Sequence, residues 1–175
     1  KNDVGIVATG NLDIVNVDFG GTYSLKAGRD LTVGIGGDLN VTGVAEAGRD
    51  LTFTVGGEID LEAIKAGRNV LVSSGGAVNL TQGVEAGGAV TITAAGGGIT
   101  MGSGIQSSGL FDGVALSGDV LLDAAGDISI PSISAGNGLI RASGHDLSLG
   151  QLTASQDIDL LATGGIRVGS SQSIG

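Results

Sequence analysis

Residues 27–33 read Ala27-Gly28-Arg29-Asp30-Leu31-Thr32-Val33, and close variants of this motif return at 47–53, 66–72 and 86–92. A second apolar run follows each copy, at 37–41, 57–61, 76–80 and 97–101. A single apolar residue then closes each unit, at Val44, Ile64, Val84 and Ile105. A repeat of about twenty residues is the sequence signature of a solenoid, in which each unit buries its apolar face against its neighbours.

Apolar and polar residues alternate within each run, which predicts short strands with one face in a core and the other in water. Each strand has to pair with the equivalent strand of the next coil, so the ladder is parallel. We therefore predict an all-β fold, a right-handed parallel β-helix (β-solenoid) with coils of about 19–20 residues. The predicted inward-facing residues are Leu31, Val33, Leu39, Val41, Leu51, Phe53, Ile59, Leu61, Val70, Val72, Val78 and Leu80.

The composition narrows the function classes. The 175 residues include 35 Gly and no Cys, and the formal net charge is -10. This charge repels phosphate backbones, so no nucleic-acid partner is expected. No apolar run approaches the roughly 20 residues that span a bilayer, so no membrane insertion is expected. The start, Lys1-Asn2-Asp3, is not a signal peptide, and residues 1–175 are predicted to be one solenoid segment of a larger chain.

Two connections are longer than the repeat requires, with insertions near residues 18–25 and 103–118. Both fall on the same segment of the coil and should project from the same side. They contain Phe19, Tyr23, Leu110 and Phe111, which are the candidate ligand-contact residues because aromatic side chains dominate contact energies and exposed loops carry recognition. The alternative is that these side chains fold onto the solenoid wall, since large apolar groups are usually buried.

Stacking superposes equivalent residues into columns. One column, Lys26, Glu46, Lys65 and Glu85, alternates in sign and would fix the coil register through weak ion pairs. Another places Arg29, Arg49 and Arg68 beside Asp30, Asp50 and Asn69. Calcium binding by such acids is not expected, because residues 36–39 lack the further glycine and the later aspartate of calcium-binding nonapeptide repeats.

Two residues stand out from the columns. His145 is predicted at a corner, and the chain offers no Cys or second His with which it could form a catalytic pair. Arg141 aligns with Leu122 and Leu160, so either the strand slips or the guanidinium meets a buried acid. No catalytic residue, metal site or cofactor is predicted.

The motif Ala-Gly-Arg-Asp-Leu-Thr-Val at 27–33, followed by Gly-Gly-Asp-Leu-Asn-Val at 36–41, resembles the repeat region of filamentous-haemagglutinin-type exoproteins. The resemblance covers residues 27–168 and implies a secreted or surface-exposed rod of a Gram-negative bacterium, exported by two-partner secretion. It implies an outer-membrane partner transporter that this segment does not itself contact. It also implies adhesion, biofilm formation or toxin presentation, with a host-cell receptor or glycan as the expected kind of ligand.

A structural and adhesive shaft, which is not an enzyme, is therefore the predicted function. The alternative is a β-helical polysaccharide lyase or hydrolase, since fold alone does not decide function. Glycosidase chemistry needs two facing carboxylates, whereas the acids here repeat without a singular cluster. An ice-binding solenoid would need a regular Thr array, and the column Thr32, Thr52, Leu71, Thr91 is interrupted.

Overall fold

The computed structural model describes residues 4–8, 10, 12–14 and 25–173, and the predicted candidates Phe19 and Tyr23 lie outside them. The described residues form strands, turns and bends, with no helix among them. None of these residues therefore belongs to a helix long and apolar enough to cross a membrane.

The first strand of each coil belongs to one parallel sheet of eight strands, so the chain makes about seven turns from the first strand to the last. These strands are five residues long because the apolar-polar alternation of each motif ends at a glycine-rich or small-residue corner. They are β1 (Val4–Ala8), β4 (Leu31–Ile35), β6 (Leu51–Val55), β8 (Val70–Ser74), β11 (Val90–Ala94), β16 (Val120–Ala124), β18 (Ile140–Gly144) and β20 (Ile158–Ala162).

The second sheet is also parallel and holds the remaining part of each coil. Its strands are β2 (Leu12–Ile14), β3 (Leu25–Ala27), β5 (Leu39–Ala47), β7 (Ile59–Ala66), β9 (Val78–Leu80), β10 (Val84–Ala86), β12 (Ile99–Met101), β13 (Ile105–Ser107), β17 (Ile128–Ala135), β19 (Leu147–Ala154) and β21 (Ile166–Ser173). Two further short strands, β14 (Leu110–Phe111) and β15 (Val114–Ala115), form a separate antiparallel hairpin.

The core lies between the two sheets and is aliphatic apart from Phe53 and Met101. All twelve residues predicted to point inward are buried, which confirms the parallel β-solenoid. The single apolar residue that was predicted to close each unit is instead part of a short strand with two inward positions, such as Val84 and Ala86 of β10. In β5 the register shifts after Val41, so Ala45 and not Val44 pairs with Ile64.

The corners are held by carboxylate and amide side chains that bond the next coil. The Oδ1 atoms of Asp30, Asp50 and Asn69 accept hydrogen bonds from backbone N–H groups of residues 50, 69 and 89, at 3.3, 3.2 and 3.0 Å. Asp38 does the same at the second corner, where its Oδ1 accepts from the Glu58 N–H at 2.9 Å. These Asp and Asn residues at the corners are therefore structural residues, each of which satisfies a corner N–H of the next coil.

Glycine is required at the corner that precedes the first strand because successive backbones stack there without room for a side chain. A Cβ on Gly48, Gly67 or Gly87 would overlap the carbonyl oxygen of the preceding glycine in the same column. This close approach of backbones, and not a positive φ, explains the repeated Ala-Gly dipeptide.

Of the two alternatives for Arg141, the slip of the strand is the one observed, and the alignment of Arg141 with Leu122 and Leu160 is off by one residue. Arg141 pairs with Leu121 and Asp159, and Ala142 occupies the core column. The strand is anchored by Ile140, because Leu139 stands at the corner, where its N–H donates to Asp119 Oδ1 at 2.9 Å. The guanidinium is exposed, with its Nε 3.3 Å from Asp159 Oδ2.

Candidate functional site

Within residues 25–173, the second sheet departs from its regular pattern in two consecutive coils. In β5, β7, β17, β19 and β21 the chain runs unbroken through both segments of the sheet. Between β9 and β10, and again between β12 and β13, three residues interrupt it, at 81–83 and 102–104. The two breaks stack on each other, since the Ser103 N–H donates to the Gln82 carbonyl at 3.1 Å.

A polar groove of about 290 Å³ lies at these breaks. Its lining includes Lys65, Gln82, Glu85, Ser103, Gln106 and Ser132. The concave surface continues across Lys65, Glu85 and Gln106 to Gly67 and Ser108, where the second irregular segment of the chain begins.

That segment is a hairpin between the last strand of one coil and the first strand of the next. Leu110 pairs with Ala115 and Phe111 with Val114, and the two-residue turn Asp112-Gly113 has φ angles of 49° and 78°. Positive φ at both turn positions is the geometry of a type I′ turn, which favours Asp-Gly. The insertion is thus narrower than the predicted range 103–118, because residues 105–107 form the regular strand β13. The prediction that both insertions fall on the same segment of the coil is wrong, because the hairpin follows β13, whereas the insertion near 18–25 precedes the equivalent strand β3.

The hairpin is fixed at its base and against the wall. The Leu116 N–H donates to the Gly109 carbonyl at 2.8 Å, and Asn137 Nδ2 donates to the Leu116 carbonyl at 2.8 Å. The Phe111 ring lies over the glycine corner, with Cε2 2.8 Å from the position a Cβ of Gly67 would take. A rigid hairpin of this kind loses little conformational freedom when it binds a partner.

The four predicted ligand-contact residues therefore fall into three groups. Phe19 and Tyr23 are outside the described residues. Phe111 is half-buried against the solenoid wall, as in the alternative reading, whereas Leu110 is 55 % exposed. The structure adds Val114, which is 62 % exposed and which the sequence analysis did not single out. The sequence does contain a pattern that predicts this hairpin, because Asp112-Gly113 lies between apolar residues and Asp-Gly in that setting is typical of a hairpin turn.

The alternating charge column is confirmed and runs beside the groove. Lys26 pairs with Glu46, and Lys65 with Glu85, with N–O distances of 2.8 and 3.0 Å. The arginine column is confirmed as well, with Arg49 Nε 3.8 Å from Asp30 Oδ1 and Arg68 Nη1 3.7 Å from Asp50 Oδ2. Exposed pairs of this kind contribute about 0.2–1 kcal/mol each, so they set register more than stability.

His145 lies at a corner, as predicted, and contacts two acids of the ladder. Its Nδ1 is 3.1 Å from Asp127 Oδ1 and 3.7 Å from Asp146 Oδ2. The three side chains are close enough to share a cation, but both carboxylates are engaged by backbone groups. Asp127 Oδ1 accepts from the Asp146 N–H at 3.1 Å, and Asp146 Oδ1 accepts from the Gly165 N–H.

We expect EDTA to leave the melting temperature unchanged, because hydrogen bonds of the corner ladder account for the placement of these acids. The measurement is thermal unfolding followed by circular dichroism, with and without EDTA and after calcium or zinc is added back. A fall of several degrees that either cation restores would contradict the expectation.

Comparison with known proteins gives one match. A family model described as repeats of unknown function (DUF5649) matches residues 48–104, about a third of the chain. The matched residues run from the corner before β6 to the break before β13 and include both strand breaks. No curated protein and no solved structure matches.

Proposed function

We propose that this β-solenoid is a shaft segment of a large secreted or surface-exposed filamentous adhesin of a Gram-negative bacterium, and that it supports adhesion or toxin presentation. The eight-stranded parallel ladder of the first sheet supports the shaft role, because stacked coils extend in one dimension and each contacts only its neighbours. Export of the parent protein by an outer-membrane partner transporter is part of the same proposal and rests on the repeat motif.

We assign the contact with a host-cell receptor or glycan, here called the recognition role, to the groove and the hairpin. One observation carries it: departures from the repeat, at 81–83, 102–104 and 108–118, adjoin one concave surface. Insertions in solenoids map to loops on one face, which is often the binding face. The hairpin presents the exposed apolar side chains of Leu110 and Val114 on a fixed base, and exposed loops carry recognition more often than a regular scaffold does.

We expect the double substitution Leu110→Ser with Val114→Ser to weaken adhesion of protein-coated beads to epithelial cell monolayers by about tenfold, since truncating central apolar contacts is costly in interfaces. Leu161→Ser is the matched control, because Leu161 is 69 % exposed on the first sheet. Unchanged adhesion, an equal loss in the control, or a loss that accompanies a lower melting temperature would overturn the recognition role.

We further propose that the segment is not an enzyme. The carboxylates that line the groove and its continuation are Glu46 and Glu85, and each is paired with a lysine of the coil before it. The polysaccharide lyase or hydrolase alternative predicts new reducing or unsaturated ends when the protein is incubated with polysaccharide, and we expect none to form.

A further inference from the structure

We infer, resting on the recognition role proposed above, that the groove beside the hairpin binds an uncharged oligosaccharide. The groove is the concave surface defined by Lys65, Gln82, Glu85, Ser103, Gln106 and Ser132. The chemistry of its lining, its charge and the pairing of its floor strands each restrict the ligand.

The lining offers hydrogen-bond donors and acceptors in close alternation. The Gln106 amide provides both, and the hydroxyls of Ser103 and Ser132 do the same. The side-chain Nε2 of Gln82 donates to Glu62 Oε1 at 2.6 Å, which leaves the side-chain oxygen of Gln82 as an acceptor. A ligand that satisfies such a surface has to carry groups that both donate and accept at short intervals, as sugar hydroxyls do.

The charge of the groove disfavours sulfated, phosphorylated and uronic-acid polymers. Lys65 is the one cation in its lining, and its Nζ lies 3.0 Å from Glu85 Oε2. Glu46 adds a further acid on the side toward the hairpin, and the whole chain carries a net charge of -10. Electrostatic steering therefore does not favour anions, and the paired charges remain available as a donor and an acceptor for neutral groups.

The floor strands disfavour an extended peptide. β7, β10, β13 and β17 are paired on both sides within the second sheet, so none offers a free backbone edge. Peptides that bind sheets usually add a strand to such an edge. The groove is left with side chains as its recognition groups, which suits a ligand that is itself rich in hydroxyl groups.

The hairpin completes the site at one end. It begins after Ser108, which lines the continuation of the groove toward Gly67, and carries the exposed side chains of Leu110 and Val114. The faces of sugar rings are formed by C–H groups, and these pack against apolar side chains while the hydroxyls at the rim form hydrogen bonds.

The test is calorimetric titration of the full chain with a panel of neutral oligosaccharides and with matched sulfated and uronic-acid series. We expect a neutral member to bind, and Gln106→Ala to weaken it by about tenfold, which is typical for loss of a well-placed hydrogen-bonding group. Gln172→Ala is the matched control: residues 106, 134, 153 and 172 form one column, and Gln172 belongs to the last coil, away from the groove. Both side chains are exposed, so equal melting temperatures should accompany the two variants.

Binding of the charged series alone, no binding by any member, or equal loss in both variants would overturn the inference. Its failure is distinct from failure of the recognition role. Adhesion that depends on Leu110 and Val114 while no neutral oligosaccharide binds would contradict this inference alone. Glycan binding without hairpin-dependent adhesion would contradict the adhesive role alone.

Discussion

Replacing Phe53 with alanine should lower the free energy of unfolding by about 3–5 kcal/mol. Phe53 is fully excluded from solvent and is the largest of the fully buried side chains among the described residues. It lies in β6 between Val33 and Val72 of the adjacent coils, so the cavity would open against both. Urea denaturation of the variant and the parent chain measures the difference.

Thr52→Ala is the control for Phe53→Ala, because Thr52 is the preceding residue of the same strand and faces outward. Its loss should stay near the range of surface substitutions, about 0.5 kcal/mol. A cost below about 1 kcal/mol for Phe53→Ala would mean that neighbouring coils collapse into the space, contrary to the close packing expected of a core.

Gly67→Ala should lower the free energy of unfolding by about 1–3 kcal/mol, which is the usual cost of overpacking. The new Cβ would overlap the Gly48 carbonyl oxygen and lie 2.8 Å from Phe111 Cε2, so both the corner and the hairpin have to shift. Thermal unfolding reports the first effect, and increased protease cleavage within the hairpin reports the second.

Gly34→Ala provides the matched control in the same solenoid. Nothing lies within 4 Å of a Cβ built on Gly34, which sits inside strand β4 with an outward position. Alanine there reduces the entropy of the unfolded chain and should be neutral or slightly stabilising. Similar destabilisation by the two substitutions would show that the close approach of the Gly48 and Gly67 backbones is not what requires glycine at this corner.

The periodic part of the fold could be predicted because each core position is repeated many times. Equivalent positions are apolar in successive coils, so the inward orientation predicted at one position is supported by the others in its column. One such column is Leu31, Leu51, Val70 and Val90. The columns of Lys26 and Arg29 follow directly from that register, and both are present.

Core positions were assigned wrongly where two adjacent residues are both apolar, so that two registers of the strand fit the pattern equally well. Leu139 and Ile140 both suit a core position, and the choice between them depends on a corner hydrogen bond that the Leu139 N–H donates to Asp119 Oδ1. The same ambiguity separates Val44 from Ala45, since a register shift in β5 adds a residue to that coil. A one-residue slip moves every later side chain of a strand to the other face, which is why the sequence alone aligned Arg141 with the core residues Leu122 and Leu160.

The groove could not be predicted because it arises from backbone breaks that leave the apolar pattern intact. Val84 and Ile105 keep their core positions whether or not the chain is extended before them. Gln82 and Ser103 therefore look like ordinary outward residues in the sequence. The hairpin was visible only as extra length, although Asp112-Gly113 marked its turn.

The corner ladder has a direction, and this bears on how the chain acquires its structure. At both corners the accepting side chain belongs to the earlier coil and the donating N–H to the later one, as from Asp30 to Asp50 and from Asp127 to Asp146. A finished coil thus offers its acceptors before its successor is in place, and each closure spans only about twenty residues, which keeps the entropic cost of closure small. Assembly can then advance coil by coil from the amino-terminal side, with every completed turn serving as the template for the next.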